Sequence, residues 1–273
     1  VKGYVKARYG TEDPMLLKAW EIMAATAYNC PEIRQGTTES VFCARPGETI
    51  RSVSSWGSAQ MFYNARDFRE AAECMLQVAE KYEGNNNFEY DLIDVVRQTL
   101  ADYGNGLQKE MVEAFKAGDK SSFGQKSREF LALILLQDSL LSTRPEFMVG
   151  PWLEQAKKIG ADEKAKELYE WNARTQITVW GNKHAADKGG LRDYAHREWA
   201  GLLRDFYYPR WEAWIGNMQA RLDGEEMPAI DWYEQENPWT LERKNYPVKT
   251  QAAPVPTAKA IFRKVFPKTK SGM

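Results

Sequence analysis

The chain has few residues suited to metal or redox chemistry. Among its 273 residues are three cysteines and two histidines. Cys30, Cys43 and Cys74 form no CxxC pair, and neither His184 nor His196 stands at ligand spacing from any of them, which argues against a zinc site. An odd number of cysteines cannot pair wholly within the chain. Buried free thiols are therefore the expectation, with a Cys30–Cys43 bridge across the intervening loop as the alternative. No run approaches roughly 18 consecutive apolar residues, so no transmembrane helix and no membrane partner are expected, and no signal peptide opens the sequence. Because the first residue is Val1 rather than Met, the start reads as a cut, and the missing leader says little about compartment. The net charge of −1 leaves no broad basic field, which argues against nucleic acid as the main partner. No stretch alternates with period two long enough to make a convincing strand, and no fixed-period repeat is present. No cofactor is expected.

What remains describes a soluble globular protein: 43% of residues are hydrophobic and 27% charged, in a chain long enough to bury a substantial core. Helical signals fill most of it. Gly3 to Gly10 reads as a short helix ending at a glycine. Asp13 followed by Pro14 supplies an N-cap acceptor and a first-turn proline for a helix reaching about Tyr28. Asp67–Tyr82 is amphipathic through Phe68, Ala71, Ala72, Met75, Val78 and Ala79, and Gly84 stops it. A stripe from Phe88 through Leu92, Val95, Leu100, Leu107 and Met111 to Phe115 marks a long core helix closed by Gly118. Ser121 to about Thr143 is apolar on most sides and central. Pro151 opens another helix, and Asp162 caps one whose pattern reaches Thr178. Leu191 to about Leu222 reads as one long aromatic-rich helix, kinked at Pro209. Beyond it lie a loop with Pro228, Pro238 and Pro247, an extended QAAPVPT linker, and a last short helix, Thr257–Phe266, docking through Ile261, Phe262 and Val265. The expected fold is all-α, an array of about nine helices forming one domain over residues 1–273, and not a solenoid.

Between residues 29 and 64 the periodicity fails. Pro31, Gly36, Pro46, Gly47 and Gly57 interrupt it, yet Phe42, Arg45, Trp56, Phe62 and Tyr63 make it too aromatic for a disordered linker. It reads as a long ordered loop, either structural or involved in binding.

The densest chemistry lies in Tyr169–Trp211, YEWNARTQITVWGNKHAADKGGLRDYAHREWAGLLRDFYYPRW, which holds four of the ten Trp and both His. Asn172, Arg174 and Gln176 lead toward Trp180 and Gly181. A Trp at a helix end before a glycine is either a packing anchor or an apolar plane left facing a cleft. Such a plane suits the C–H face of a sugar ring, whose hydroxyls take polar partners. His184, in the same glycine loop, carries a modest binding role. Neither His184 nor His196, despite Asp187 and Asp193 nearby, is accompanied by a nucleophile elbow. Asp91 and Asp94, three apart on a helix with Gln98 one turn on, could pair for acid–base work. The stronger reading is a polar stripe tying a core helix to its neighbours by buried hydrogen bonds and an ion pair.

Eight runs, in order along the chain, resemble one family. They are ARYG (Ala7–Gly10), AYNC (Ala27–Cys30), ARP (Ala44–Pro46), YDLIDVVRQ (Tyr90–Gln98), FMVGPWLEQA (Phe147–Ala156), YEWNARTQITVWG (Tyr169–Gly181), DYAHREWAGL (Asp193–Leu202) and FYYPRW (Phe206–Trp211). Each is weak alone, but together they resemble the C-terminal helical domain of the alpha-N-acetylglucosaminidases of glycoside hydrolase family 89. The resemblance implies a retaining glycosidase that removes terminal alpha-linked N-acetylglucosamine, from heparan sulfate in animals and from host glycans in bacteria. It implies a catalytic TIM-like barrel upstream on the same polypeptide, carrying two glutamates with carboxyl groups about 5–5.5 Å apart. This chain begins after them and is expected to be inactive alone. Its implied partners are that barrel and glycans ending in alpha-linked N-acetylglucosamine. The implied compartment is exported if bacterial and lysosomal if animal. The implied role of the domain is one wall of the substrate pocket, lined by Trp180, with His184, Tyr194 and, more weakly, Arg45. Arg174 and Arg210 are assigned to ion pairs within the domain. The loop NKHAADKGG, 182–190, is longer and more basic than the family pattern. A stand-alone helical module binding a glycan or protein is the rival reading; an enzyme using Asp91/Asp94 or His184 ranks third.

Overall fold

The computed structural model describes all residues except 32–38, 55–59 and 268–273, so Gly36, Trp56 and Gly57 of the irregular segment lie outside the described residues. Ten α-helices are present among the described residues, and no strand beyond an isolated parallel bridge, Met148 to Ala200. They are α1 (Lys2–Tyr9), α2 (Pro14–Ala25), α3 (Ala65–Val78), α4 (Asn86–Lys116), α5 (Lys120–Leu141), α6 (Val149–Lys157), α7 (Glu163–Gln176), α8 (Tyr208–Leu222), α9 (Trp232–Leu241) and α10 (Pro254–Val265). Among the described residues no helix is long and apolar enough to cross a membrane.

Local chemistry sets most of the ends. Asp13, Asn64, Asn85, Asp119 and Asp162 each accept a backbone N–H of the first turn, satisfying a donor that has no intrahelical partner. Gly10, at φ 75°, closes α1 in the left-handed conformation that only glycine adopts without strain.

α4 and α5, joined by a tight turn, form the central pair. α3 packs on α4 and carries α2; α8 lies on α5, and α10 covers α4 and α5. The α6–α7 hairpin meets the rest through α9 and, at the start of α6, through the Met148–Ala200 bridge. Phe42, in a short 3₁₀ turn (Val41–Cys43), inserts into the centre, where Phe130 stands 5.5 Å away, and Phe130 meets Trp211 at 4.5 Å. Gly104 makes the insertion fit, since a Cβ there would lie 2.5 Å from the Phe42 ring. The segment after residue 29 is thus ordered where it is described: Val41, Phe42, Cys43 and Ala44 are buried. All three thiols are free, with Cys43 and Cys74 buried.

Two expectations fail here. The helix expected from Leu191 does not start until Gly201 is passed. Residues 191–200 are irregular, turned by left-handed backbone at Asp193 (φ 54°) and His196 (φ 41°). Ala200 instead bonds its N–H to Phe147 O (2.8 Å) and accepts Val149 N–H (3.1 Å), contacts that a helix would forgo. The chain then enters α8 through a π turn, Leu203–Tyr207, just ahead of Pro209, whose missing N–H and ring disrupt ordinary helical bonding. The second miss is α9, formed where a proline-punctuated loop was expected. Pro238 sits inside it, but Asp231 caps it and Glu236, Trp239 and Thr240 are buried on its inner face. α10 likewise begins at Pro254, inside the expected linker, with proline at its first position.

Candidate functional site

After α7 the chain makes a buried turn, Ile177–Val179, and brings Trp180 to the surface. Trp180 has φ 66°, a left-handed conformation that costs a bulky residue about 1–2 kcal/mol. Its N–H bonds Thr175 O at 2.8 Å, closing the end of α7. Its ring is 36% exposed and lies 4.8 Å from that of Tyr194, itself 41% exposed, at a tilt of 48°. The structure therefore brings together two of the sequence candidates as a paired aromatic surface. His184 stands on the same loop, exposed, at the start of a π turn, His184–Lys188. Asn172 and Gln176 are exposed but Arg174 is fully buried, because residues two apart on a helix point to opposite sides. Asn172 and Gln176, four apart, share the exposed face of α7, and Arg174 is not part of it.

Beneath the aromatic pair runs a ladder of charges. Asp193 is fully buried, and its N–H reaches Thr178 O (2.7 Å). Its carboxylate accepts from both terminal nitrogens of Arg210, at 3.1 and 3.3 Å. The Nε of Arg210 pairs with Glu236 Oε1 at 3.0 Å. Glu236 in turn takes two bonds from Arg45, 2.9 and 2.7 Å, and the remaining Arg45 nitrogen reaches Asp187 at 2.6 Å. Arg45 is thus held by two carboxylates beside the loop rather than extended into solvent. Burial pushes the Asp193 carboxyl up to about 6, with Arg210 pulling the other way. Burial also works against charge on Arg210, but Asp193 and Glu236 outweigh it and hold the guanidinium ionised. Lys183 pairs with Asp231, and Tyr233 donates to Gly181 O (3.3 Å), tying the loop to α9. The ladder fixes the aromatic pair to α8, α9 and the 3₁₀ turn, since Arg210 also donates to Cys43 O at 3.0 Å.

Such an arrangement, flat rings on a rigid base, suits an uncharged ligand with an apolar face. Comparison with known proteins identifies the family of the domain. A family model described as the alpha-N-acetylglucosaminidase (NAGLU) C-terminal domain matches residues 1–264. The chain belongs to this family of alpha-N-acetylglucosaminidase C-terminal domains. The human alpha-N-acetylglucosaminidase is 29% identical over 280 residues, covering 100% of this chain and 36% of the human protein. A family 89 glycoside hydrolase from Clostridium perfringens, solved with 2-acetamido-1,2-dideoxynojirmycin, superposes with a TM-score of 0.92 at 37% identity, over 98% of this chain and 31% of that one. A variant of the Clostridium perfringens enzyme with two Glu→Gln substitutions, in complex with its substrate GlcNAc-alpha-1,4-galactose, gives 0.91 at 38% identity, over 96% of this chain and 30% of that one. The chain thus spans about a third of the length of these relatives.

In this alpha-N-acetylglucosaminidase C-terminal domain the other sequence candidates are structural. Asp91 is buried, gripped by Arg8 through two nitrogens and by the Tyr9 hydroxyl at 2.6 Å. Asp94 pairs with Arg97, which reaches on to Glu198 at 2.6 Å. Gln98 donates to Asp102 at 2.9 Å. The two carboxylates therefore hold α1 and the 191–200 segment to α4. Half-buried His196 points its Nδ1 toward Glu39 at 3.6 Å, and burial lowers its pKa against the pull of Glu39. Arg174 pairs with Glu170 and lies over Trp239 and Tyr246, as the ion-pair assignment expected. Asp193, Asp187 and Glu236 as partners of Arg45 and Arg210 were not legible. The only signal was the coincidence of an arginine and a proline in the irregular segment.

Proposed function

We propose that this domain packs on a catalytic barrel of the same polypeptide and supplies one wall of a pocket for terminal alpha-linked N-acetylglucosamine. The observation that carries this reading is the Trp180–Tyr194 pair, half-exposed rings held at the surface by strained backbone and a buried charge ladder, in a family whose relatives hydrolyse or bind such sugars. Strain of this kind persists only where the surroundings over-determine it, and it gathers at sites of function. Trp180 covers the apolar face of the sugar; Tyr194 orients the Trp180 ring, and exposed His184 stands ready to meet hydroxyls. Arg45 acts from behind, holding Asp187 and so the 182–190 loop. Bond cleavage falls to a pair of carboxyl groups outside this chain, one as nucleophile and one as acid–base. The relative with two Glu→Gln substitutions that holds its substrate accords with a pair of carboxyl groups as the catalytic residues.

The test is an assay on an aryl alpha-N-acetylglucosaminide. The expected result is turnover by a polypeptide that includes the barrel, none by residues 1–273 alone, and a large loss on Trp180→Ala with the fold intact. Turnover by the isolated chain, or full activity in the Trp180→Ala barrel-containing protein, overturns the reading. Glycan binding by residues 1–273 without any effect of adding the barrel would favour a stand-alone binding module instead.

A further inference from the structure

Between the end of α5, the π turn Leu203–Tyr207, the 244–252 loop and α10 lies a cleft of about 490 Å³. Trp180, Tyr194, His184 and Arg45 take no part in lining it, and its volume falls in the range of small-ligand sites, roughly 300–1,000 Å³. Its walls are fixed from behind. Buried Arg174 donates to Lys244 O at 2.7 Å, Gln251 N–H donates to Ser142 O at 3.0 Å, and the Trp239 indole donates to the Tyr246 hydroxyl at 3.0 Å. Gly201, at φ 87°, lets the backbone pass close beneath the loop, since a Cβ there would lie 2.7 Å from the Tyr246 ring.

Two cations line the cleft, each gripped by a carboxylate set deeper than itself. Asp138 Oδ2 accepts from Nε and Nη2 of Arg204 at 3.0 and 2.8 Å, and its Oδ1 accepts the Gly201 N–H at 2.6 Å. Asp205 holds the Lys244 ammonium at 2.6 Å. The side chains of Arg204 and Lys244 are 55% and 54% exposed, those of Asp138 and Asp205 6% and 18%. The charges balance, but the positive ends stand in front and the negative ends behind, so the cleft presents a cationic face. Tying the π turn to α5 also leaves donors over. Arg204 Nη1 bonds nothing among the described residues, and Lys244 spends one of its three N–H groups on Asp205.

The remaining lining narrows the ligand further. Ser139 and Ser142 already donate their hydroxyl hydrogens to helix carbonyls, at 2.9 and 2.8 Å, so toward a ligand they act as acceptors for its hydroxyl groups. Met148, Ala200, Pro247 and Ala252 supply apolar wall against which C–H groups can lie. The unspent N–H groups of Arg204 and Lys244 call for an anion, which a guanidinium and an ammonium held in place from behind can meet with charge-assisted hydrogen bonds at little cost in ordering. We propose that this cleft binds an acidic sugar, a hydroxylated ring bearing one carboxylate or sulfate group, at a site separate from the Trp180 surface. Arg204 and Lys244 take the anionic group, and Ser139 and Ser142 accept from the ring hydroxyls.

The test is isothermal titration calorimetry on the full-length protein, with 2-acetamido-1,2-dideoxynojirmycin present at saturation so that a site for that inhibitor is filled and does not report. Glucuronic acid and glucose 6-sulfate are titrated against glucose and inorganic sulfate. At least one acidic sugar is expected to bind, one per chain and about 10-fold or more tightly than glucose or sulfate, and the stronger of the two acids tells carboxylate from sulfate. Arg204→Gln and Lys244→Gln are each expected to weaken that binding by roughly 10-fold or more. Arg204→Gln also strips a partner from buried Asp138, so the half-exposed Lys244→Gln, checked for an unchanged melting temperature, carries the decision. The proposal is overturned by no binding of either acidic sugar up to ~10 mM, by glucose or bare sulfate binding as tightly, or by full affinity in folded Lys244→Gln.

Discussion

Replacing Arg210 by methionine removes the centre of the charge ladder while keeping most of the side-chain volume. Arg210 is 1% exposed and serves Asp193, Glu236 and the Cys43 carbonyl. Glu236 keeps the two bonds from Arg45, so the loss falls on Asp193, left fully buried without a counter-charge. Removing one partner of a buried pair costs about 3–5 kcal/mol. For a domain this large that is a fall in melting temperature of roughly 6–20 °C. Asp193→Asn is milder, about 1–3 kcal/mol, because Arg210 retains Glu236 and the carbonyl. The double variant Arg210→Met/Asp193→Asn should melt above Arg210→Met alone, since the orphan charge is gone. The deficit should also depend on pH. The folded pKa of Asp193, already about 6 beside Arg210, rises further without it, so the stability deficit of Arg210→Met is largest near pH 7.5 and shrinks as acid neutralises the carboxyl. Thermal melts by circular dichroism at pH 7.5 and 5 measure all of this. An Arg210→Met variant melting with the parent protein, or a double variant losing the sum of both single effects, would refute the reasoning.

Three further outcomes follow from the same structure. In the barrel-containing enzyme Trp180→Ala should lower kcat/KM by about 10- to 100-fold, equivalent to about 1.4–2.7 kcal/mol of transition-state binding, while Trp180→Gly, free of the left-handed strain, should be about 1 kcal/mol more stable than Trp180→Ala in denaturant titration. Burial pushes the Asp102 carboxyl up to about 7 despite hydrogen bonds from Gln98 and Tyr63, so its favourable contribution is complete below about 4 and lost as pH rises through 7. Asp102→Asn should therefore gain stability relative to the parent between pH 5 and 8, by no more than roughly 4 kcal/mol, and a parallel pair of pH–stability curves would contradict this. Gly150→Ala would place a Cβ 2.0 Å from Pro247 O, a backbone clash that should cost about 1–3 kcal/mol or more in a thermal melt.

The candidate site was partly legible and partly not. Trp180 stood out as a flat apolar ring at a helix end before a glycine, His184 followed from the same loop, and Tyr194 came from the family resemblance. That Trp180 and Tyr194 meet was not readable, because residues 191–200 carry a helical spacing they do not use. Leu191, Tyr194 and Ala195 fit a 3.6-residue period. The bonds from Ala200 to Phe147 and Val149, and from Asp193 to Thr178, are what hold them out of the helix. α9 was hidden for the opposite reason: Pro238 argues locally against a helix, and the burial of Glu236, Trp239 and Thr240 outweighs it.

What the sequence by itself determined is whatever depends on neighbours within a few residues: the caps at Asp13 and Asp162, the glycine stop at Gly10, the apolar stripes of α3, α4 and α5, and with them an all-helical fold. Periodicity and capping act over one or two turns, so they can be read locally. The tertiary structure alone decided which charges are buried together and which rings are left open. Arg45 and Glu236 are 191 positions apart, and nothing local distinguishes them from charges in water. Their pairing, and the exposure of Trp180 above it, exist only once α8, α9 and the 182–193 loop have closed on the 3₁₀ turn at Val41–Cys43. Burial there changes the energy of a charge far more than sequence context can.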